Sequence, residues 1–315
     1  MKAVFLDQST VGNVNYQRLN DIVNTCTFYQ ITSSDEVVSR CQQVDLVIAN
    51  KVKFTDEILA ALPNLKLICV TATGTDDIDL VAAKQQGVAV CNVPAYSTES
   101  VAQLTFTLML ALFSSLINYH AIIQAGEWQK RATFNMLDFP IKELSGKTLG
   151  IIGYGHIGQR VATIAKAFNM KVLLANIPGR PVKADRLSLN ELLPQVDCLS
   201  LHCPLNENTR GLIGAPEFAL MSPQAFLINV ARGPIIDEQA LVAALQQGQI
   251  AGAGLDVLAH EPPYADSSLI NLHHPRLIIT PHIAWASIEA RQRCIDIVAD
   301  NIQSFIEQQR LNRVV

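Results

Sequence analysis

Short apolar runs separated by amphipathic segments recur from one end of this chain to the other. In the first hundred residues the runs are Ala3–Leu6, Leu46–Ala49, Leu67–Val70 and Val88–Cys91. Further on they are Thr148–Ile152, Lys171–Leu174, Cys198–Leu201, Ala225–Ile228, Gly252–Asp256 and Leu277–Thr280. Runs this short and continuous read as strands covered on both faces, and their alternation with helical patterns predicts parallel α/β architecture. At 315 residues the chain exceeds one small core, so two doubly wound parallel-sheet domains are expected. Pro94-Ala95-Tyr96-Ser97 follows a strand, and a helix begins near Thr98 or Glu99. A last helix, Ile288–Gln308, is expected to return to the first domain. The boundaries are then 1–97 with 286–315, and 98–285, with a substrate cleft between the two domains.

Only the second half carries a phosphate-binding signal. Gly153-Tyr154-Gly155-His156-Ile157-Gly158 follows the Thr148–Ile152 run and precedes a helical stretch, Gln159–Phe168. Strand, glycine turn and helix are what a dinucleotide pyrophosphate needs. Gly153 permits the tight turn, Gly155 removes a Cβ that would block the phosphates, and Gly158 lets the helix approach the strand. The helix N-terminus adds N–H donors and positive dipole. The prediction is a Rossmann domain that binds NAD or NADP.

Composition narrows the classes. A net charge of −4 argues against a nucleic-acid binder. The 49% hydrophobic and 17% charged content is that of a globular chain. The cysteines, Cys26, Cys41, Cys69, Cys91, Cys198, Cys203 and Cys294, form no CxxC pair, so buried thiols in a reducing compartment are expected and no metal site. Leu104–Ile117 is apolar but too short to span a bilayer. Met1–Asp7 has no signal-peptide anatomy, which makes the cytoplasm the expected location.

Three polar residues follow strands in the second half: Arg232, Glu261 and His282. In an open α/β sheet, ligands bind outside the carboxyl ends of the strands. Arginine holds a carboxylate with a bidentate fork and polarises the adjacent carbonyl. Histidine gives a proton to that oxygen as hydride reaches C2. A carboxylate on the other ring nitrogen fixes the tautomer and favours imidazolium. Each residue alone reads more simply as an ion pair, a helix cap or a core histidine. Together, behind a dinucleotide motif, they point to reduction of a 2-keto acid.

At these residues the chain resembles the D-isomer-specific 2-hydroxyacid dehydrogenases over almost its whole length. The carriers are the glycine segment, Leu201-His202-Cys203-Pro204-Leu205 with Thr209, Asn229–Asp237, Glu261-Pro262-Pro263 and Pro281-His282. The resemblance implies a flavodoxin-like substrate domain beside the Rossmann domain. It implies Arg232 as substrate anchor, Glu261 as partner of the histidine and His282 as general acid/base. It places Asp256 near the nicotinamide amide, and Pro204 and Thr209 along the cofactor groove. Thr98, His202, Val230 and Ala231 join the glycine segment as cofactor contacts. Thr73-Gly74-Thr75-Asp76 matches the family's loop for the substrate carboxylate, and Lys51 and Trp285 are further substrate-pocket candidates. Thr280–Ser287 and Asn50-Lys51-Val52 resemble the glycerate dehydrogenase and hydroxypyruvate reductase group. Substrates implied are hydroxypyruvate, glyoxylate or D-glycerate. D-lactate and D-3-phosphoglycerate dehydrogenases are the nearer alternatives, and a nucleotide-sensing co-repressor-like protein the more distant one.

The second strand of the glycine half ends in Asn176, where NAD enzymes usually place an aspartate for the ribose 2′-hydroxyl. Asparagine can still bond a hydroxyl but does not repel a 2′-phosphate. Arg180 and Lys183 follow, and either would pair with that phosphate. Relaxed cofactor choice is therefore expected. The resemblance implies that residues 100–140, with the apolar face Leu104, Leu108, Leu112 and Phe113, form a homodimer arm, against the plainer reading of a core helix.

Overall fold

A computed structural model describes residues 1–315 and divides them into two compact units, Met1–Ser97 with Trp285–Val315, and Thr98–Ala284. Trp285 falls in the first unit rather than the second.

The first unit is built on β1 (Lys2–Phe5), β2 (Thr25–Phe28), β3 (Leu46–Ala49), β4 (Leu67–Val70) and β5 (Ala89–Cys91). All pair in parallel in the order β2-β1-β3-β4-β5, the flavodoxin-like order. Strand alternation sends Ala3, Phe5, Leu46 and Ile48 to one face and Val4, Leu6, Val47 and Ala49 to the other. Both faces are covered, which is why these strands read as unbroken apolar runs. The helix Ile288–Ile306 closes one face with Ala290, Cys294, Val298 and Ile302. Ser287 caps it by accepting from the Ala290 N–H at 3.1 Å. The edge strand β2 was not anticipated: Thr25 and Thr27 are exposed and interrupt the apolar pattern.

The second unit holds β6 (Thr148–Ile152), β7 (Lys171–Leu174), β8 (Cys198–Leu201), β9 (Phe226–Asn229), β10 (Gly252–Leu255) and β11 (Leu277–Ile279). The order is β11-β10-β9-β8-β6-β7, again wholly parallel. The order reverses between β6 and β8, the switch point where such sheets bind ligands. The helix after β6 spans His156–Ala167, so it starts inside the glycine segment and not at Gln159.

The helix Thr98–Phe113 corrects the dimer-face expectation. Leu108, Leu112 and Phe113 are buried within the unit, and Leu104 is half-buried. The Phe113 ring lies 4.8 Å from that of Phe226 on β9. A Cβ on Gly254 of β10 would lie 3.0 Å from Leu108 Cβ. This face is core. The exposed apolar residues of the same stretch are others, among them Leu110, Leu116, Ile117, Phe134 and Leu137. No single helix is long and apolar enough to cross a membrane.

Candidate active site

Arg232, Glu261 and His282 follow β9, β10 and β11, three adjacent strands of one sheet. The most direct contact is between Glu261 and His282: Glu261 Oε2 lies 2.6 Å from His282 Nδ1. The other carboxylate oxygen accepts from the Leu258 N–H at 2.9 Å, which fixes the carboxylate plane. The Glu261–Pro262 peptide is cis. His282 has φ +54°, a left-handed backbone uncommon for a side chain of this size. Its N–H donates to Asp256 O at 2.8 Å.

Asp256 supplies much of the order in this turn. It is 1% exposed, and its carboxylate accepts from the N–H groups of Ile283 at 2.9 Å and Ala284 at 2.7 Å, and from the Thr280 hydroxyl. Burial pushes its carboxyl above the usual range, and these hydrogen bonds pull it back. Asp256, the residue expected beside the nicotinamide, thus also braces the turn that carries His282, with both oxygens engaged.

Arg232 is held by a residue that sequence reading passed over. Asn229, fully buried at the end of β9, donates from Nδ2 to Arg232 O at 2.9 Å and accepts the Ala231 N–H at 3.0 Å. Gly233 was also missed. A Cβ there would lie 1.9 Å from the backbone of Leu258, so only glycine lets the loop after β9 cross the loop that carries Glu261. These contacts link Arg232, Glu261 and His282 through backbone. A buried polar partner on another strand leaves no local periodicity, so only the Asn229-to-Gly233 string itself was visible beforehand.

The glycine turn fits a dinucleotide. Gly153 has φ +100°, and a Cβ there would lie 2.4 Å from His202 backbone. A Cβ on Gly158 would lie 2.0 Å from Gly153 O, which shows how closely helix and turn approach. Gly155 faces open space, with nothing within 4 Å of a built Cβ. The helix behind it has no side-chain cap and no acidic residue in its first turn. Its first N–H groups therefore suit an anion beside His156 and Ile157. Thr98 opens the helix Thr98–Phe113. Val230 and Ala231 lie between β9 and Arg232, and Pro204 is exposed after β8.

Other candidate residues make the following contacts within their own units. Thr209 is fully buried: its hydroxyl donates to Pro204 O at 2.7 Å and accepts the Asn206 N–H at 2.8 Å, so it shapes the 204–209 loop. Trp285 packs edge-on to Tyr96 in the first unit, with ring centroids 6.3 Å apart. His202 bonds Ser200 through Nε2 at 2.8 Å, and burial pushes its pKa down to about 3, so it stays neutral. The Asn176 side chain is committed to the backbone of residues 183–186 rather than turned to a ribose. In the first unit, Thr73 donates its hydroxyl to Val93 O at 2.8 Å, so that oxygen secures its own loop after β4. Gly74 follows in the same loop. Lys51 is exposed, and its N–H donates to the buried Asp7 carboxylate at 2.7 Å.

A doubly wound sheet with a glycine turn at the switch point, and a carboxylate–histidine pair beyond neighbouring strands, defines an NAD(P)-dependent oxidoreductase. The family model described as D-isomer specific 2-hydroxyacid dehydrogenase, NAD binding domain, matches residues 106–284. The chain is 40% identical to a glycerate dehydrogenase of Methylorubrum extorquens, over 97% of this chain and 96% of that one. It is 36% identical to a hydroxypyruvate reductase of Blautia hydrogenotrophica, over 100% and 99%. A solved acyclic imino acid reductase, in complex with NADPH and D-Arg, superposes with a TM-score of 0.86 at 34% identity, covering 100% of both chains. The protein belongs to the D-isomer specific 2-hydroxyacid dehydrogenase family and is a 2-hydroxyacid oxidoreductase that uses NAD or NADP.

Proposed function

We propose that the protein reduces a small 2-keto acid, hydroxypyruvate or glyoxylate, and in the reverse direction oxidises D-glycerate. The observation that carries the reading is the 2.6 Å contact between Glu261 and His282 Nδ1. It assigns proton transfer to the other ring nitrogen, Nε2. Arg232 takes the substrate carboxylate in its fork and draws charge from the neighbouring carbonyl. His282 gives its Nε2 proton to the carbonyl oxygen and takes it back during oxidation. Glu261 holds the ring in the orientation that turns Nε2 to the substrate. When bound, the nicotinamide supplies the hydride to C2. The relatives named glycerate dehydrogenase and hydroxypyruvate reductase support this substrate class.

Initial rates with hydroxypyruvate, glyoxylate and pyruvate test the reading. The expected order puts kcat/KM for hydroxypyruvate first. Pyruvate first would make it a D-lactate dehydrogenase. Cofactor binding without turnover of any of the three would favour a nucleotide sensor.

We also propose a homodimer in the cytoplasm. Support for pairing is the exposed apolar surface of the 110–141 stretch, where Phe134 is 88% and Leu137 80% exposed. Support for a reducing compartment is that the cysteines form no CxxC pair and that all but Cys26 are buried. A monomer by light scattering at micromolar concentration contradicts the pairing.

A further inference from the structure

β4 and β5 bring two cysteines side by side. Cys69 and Cys91 are partners in the parallel register and belong to the same buried face of the first unit. Neighbouring strands lie about 4.8 Å apart, inside the Cα separation that a disulfide spans. The Cys69 S–H donates to the Cys91 sulfur, and the Cys91 thiol donates in turn to Leu311 O at 3.6 Å. Burial pushes the Cys69 thiol up. The hydrogen bond from Cys69 and the Arg313 guanidinium draw the Cys91 thiol below its ordinary value. Cys91 is therefore the better nucleophile of the two, and Cys69 lies within reach of it.

Both thiols are buried, but the cover over Cys91 is light. The segment 311–314 runs antiparallel along β5. Cys91 is bridged to Arg313, the Val314 N–H donates to Val90 O at 2.7 Å, and the Asn92 N–H donates to Asn312 O at 3.2 Å. Leu311, Arg313 and Val314 are exposed, so backbone bonds do most of the holding. A segment held that way opens locally at low cost. Just past the two cysteines, the same strands hold the loop after β4. The Val93 N–H donates to Ala72 O at 2.9 Å, the Thr73 hydroxyl to Val93 O at 2.8 Å, and Asn92 Nδ2 to Thr73 O at 2.7 Å. A change in the spacing of Cys69 and Cys91 is passed through these bonds to the Thr73-Gly74 loop.

We propose that Cys69 and Cys91 are a peroxide-sensitive dithiol, gated by the 311–314 segment, whose disulfide form slows turnover by disturbing the loop at Thr73. Hydrogen peroxide is the oxidant. The Cys91 thiolate attacks one peroxide oxygen, the O–O bond breaks and one water leaves, giving a sulfenic acid. Cys69 attacks that sulfur, the S–O bond breaks and a second water leaves with the Cys69 proton. The two thiols lose two electrons and two protons, and the peroxide becomes two waters. The effect on turnover rests on the dehydrogenase reading above, whereas the disulfide does not. The experiment doses the intact protein with hydrogen peroxide, alkylates the remaining thiols and maps the peptides by mass spectrometry. A Cys69–Cys91 crosslink is expected before any oxidation of Cys26, which is less buried but has its thiol pushed up to about 12 by burial. Cys69→Ser should leave a Cys91 sulfenic acid that dimedone captures. Val314→Pro removes the donor to Val90 and should speed crosslinking at least ~3-fold. In the disulfide form kcat/KM for hydroxypyruvate should fall about tenfold and return with dithiothreitol. Absence of the crosslink, or oxidation of Cys26 first, overturns the proposal. An unchanged rate in Val314→Pro overturns the gate, and an unchanged kcat/KM in the crosslinked protein overturns the brake on turnover. A crosslink in a protein that turns over no keto acid even before peroxide removes the dehydrogenase reading and leaves the dithiol standing.

Discussion

The two ends of the second sheet solve the same problem with different degrees of burial. Beyond β9, β10 and β11, the loops bearing Arg232 and His282 are tied down by Asn229 and Asp256, which are 0% and 1% exposed. Beyond β7, the loop bearing Arg180 and Arg186 is tied down by Asn176, which is only half-buried. In each case a polar side chain at a strand end spends its hydrogen bonds on the backbone of the functional loop. The groups assigned to chemistry or phosphate binding lie on the loop and not on the strut. Struts in a dry interior have no water to replace lost partners, whereas Asn176 does. Damage at the catalytic end should therefore be large and general. Damage at the β7 end should be small.

Asp256→Asn gives the largest effect expected from this contrast. The amide would keep one acceptor oxygen and put its NH2 against one of the two backbone N–H donors, losing about 1–3 kcal/mol of stability. A displacement of His282 by about 1 Å would cost on the order of 10² in kcat. Steady-state rates and thermal midpoints measure both. Full activity in this variant would break the comparison.

Acid sensitivity comes next. The pKa of His202 is pushed down to about 3 by burial, from an ordinary 6.5. Between those values the unfolded chain takes up a proton that the folded chain refuses. The associated stability is complete above pH ~6.5 and is lost as pH falls toward ~3, at up to about 1.4 kcal/mol per pH unit. Denaturant titrations from pH 7 to 4 should show a shallower pH slope in His202→Asn. An unchanged slope would place the acid-sensitive group elsewhere. At the weak end of the contrast, Asn176→Ala should lower stability by less than about 1 kcal/mol in thermal melts, because water replaces its lost partners.

Much of this was legible in the sequence for a physical reason. A strand covered on both faces must be largely apolar, so β3, β4, β6 and β8 announced themselves to the residue. The edge strand β2 did not, because Thr25 and Thr27 face solvent. Glycine spacing revealed the phosphate turn, since close approach leaves few residue types possible there. Strand ends revealed Arg232, Glu261 and His282. The struts stayed hidden because a buried carboxylate reads the same whether it faces a cofactor or a backbone N–H. Asp256, Thr209 and Asn176 were read only for what they offer a cofactor, and each also bonds the backbone of its own loop. The apolar face at Leu108, Leu112 and Phe113 misled in the opposite sense, since an apolar stripe suits a core as well as a partner.

The central claim is that Glu261 and His282 act as one proton-handling unit. A double-mutant cycle on kcat for hydroxypyruvate reduction tests it most directly, with Glu261→Gln, His282→Ala and the pair. His282→Ala should cost on the order of 10² to 10⁴, and adding Glu261→Gln to it should cost almost nothing more. Losses that multiply in the double variant would mean that the two residues act independently, and would contradict the account.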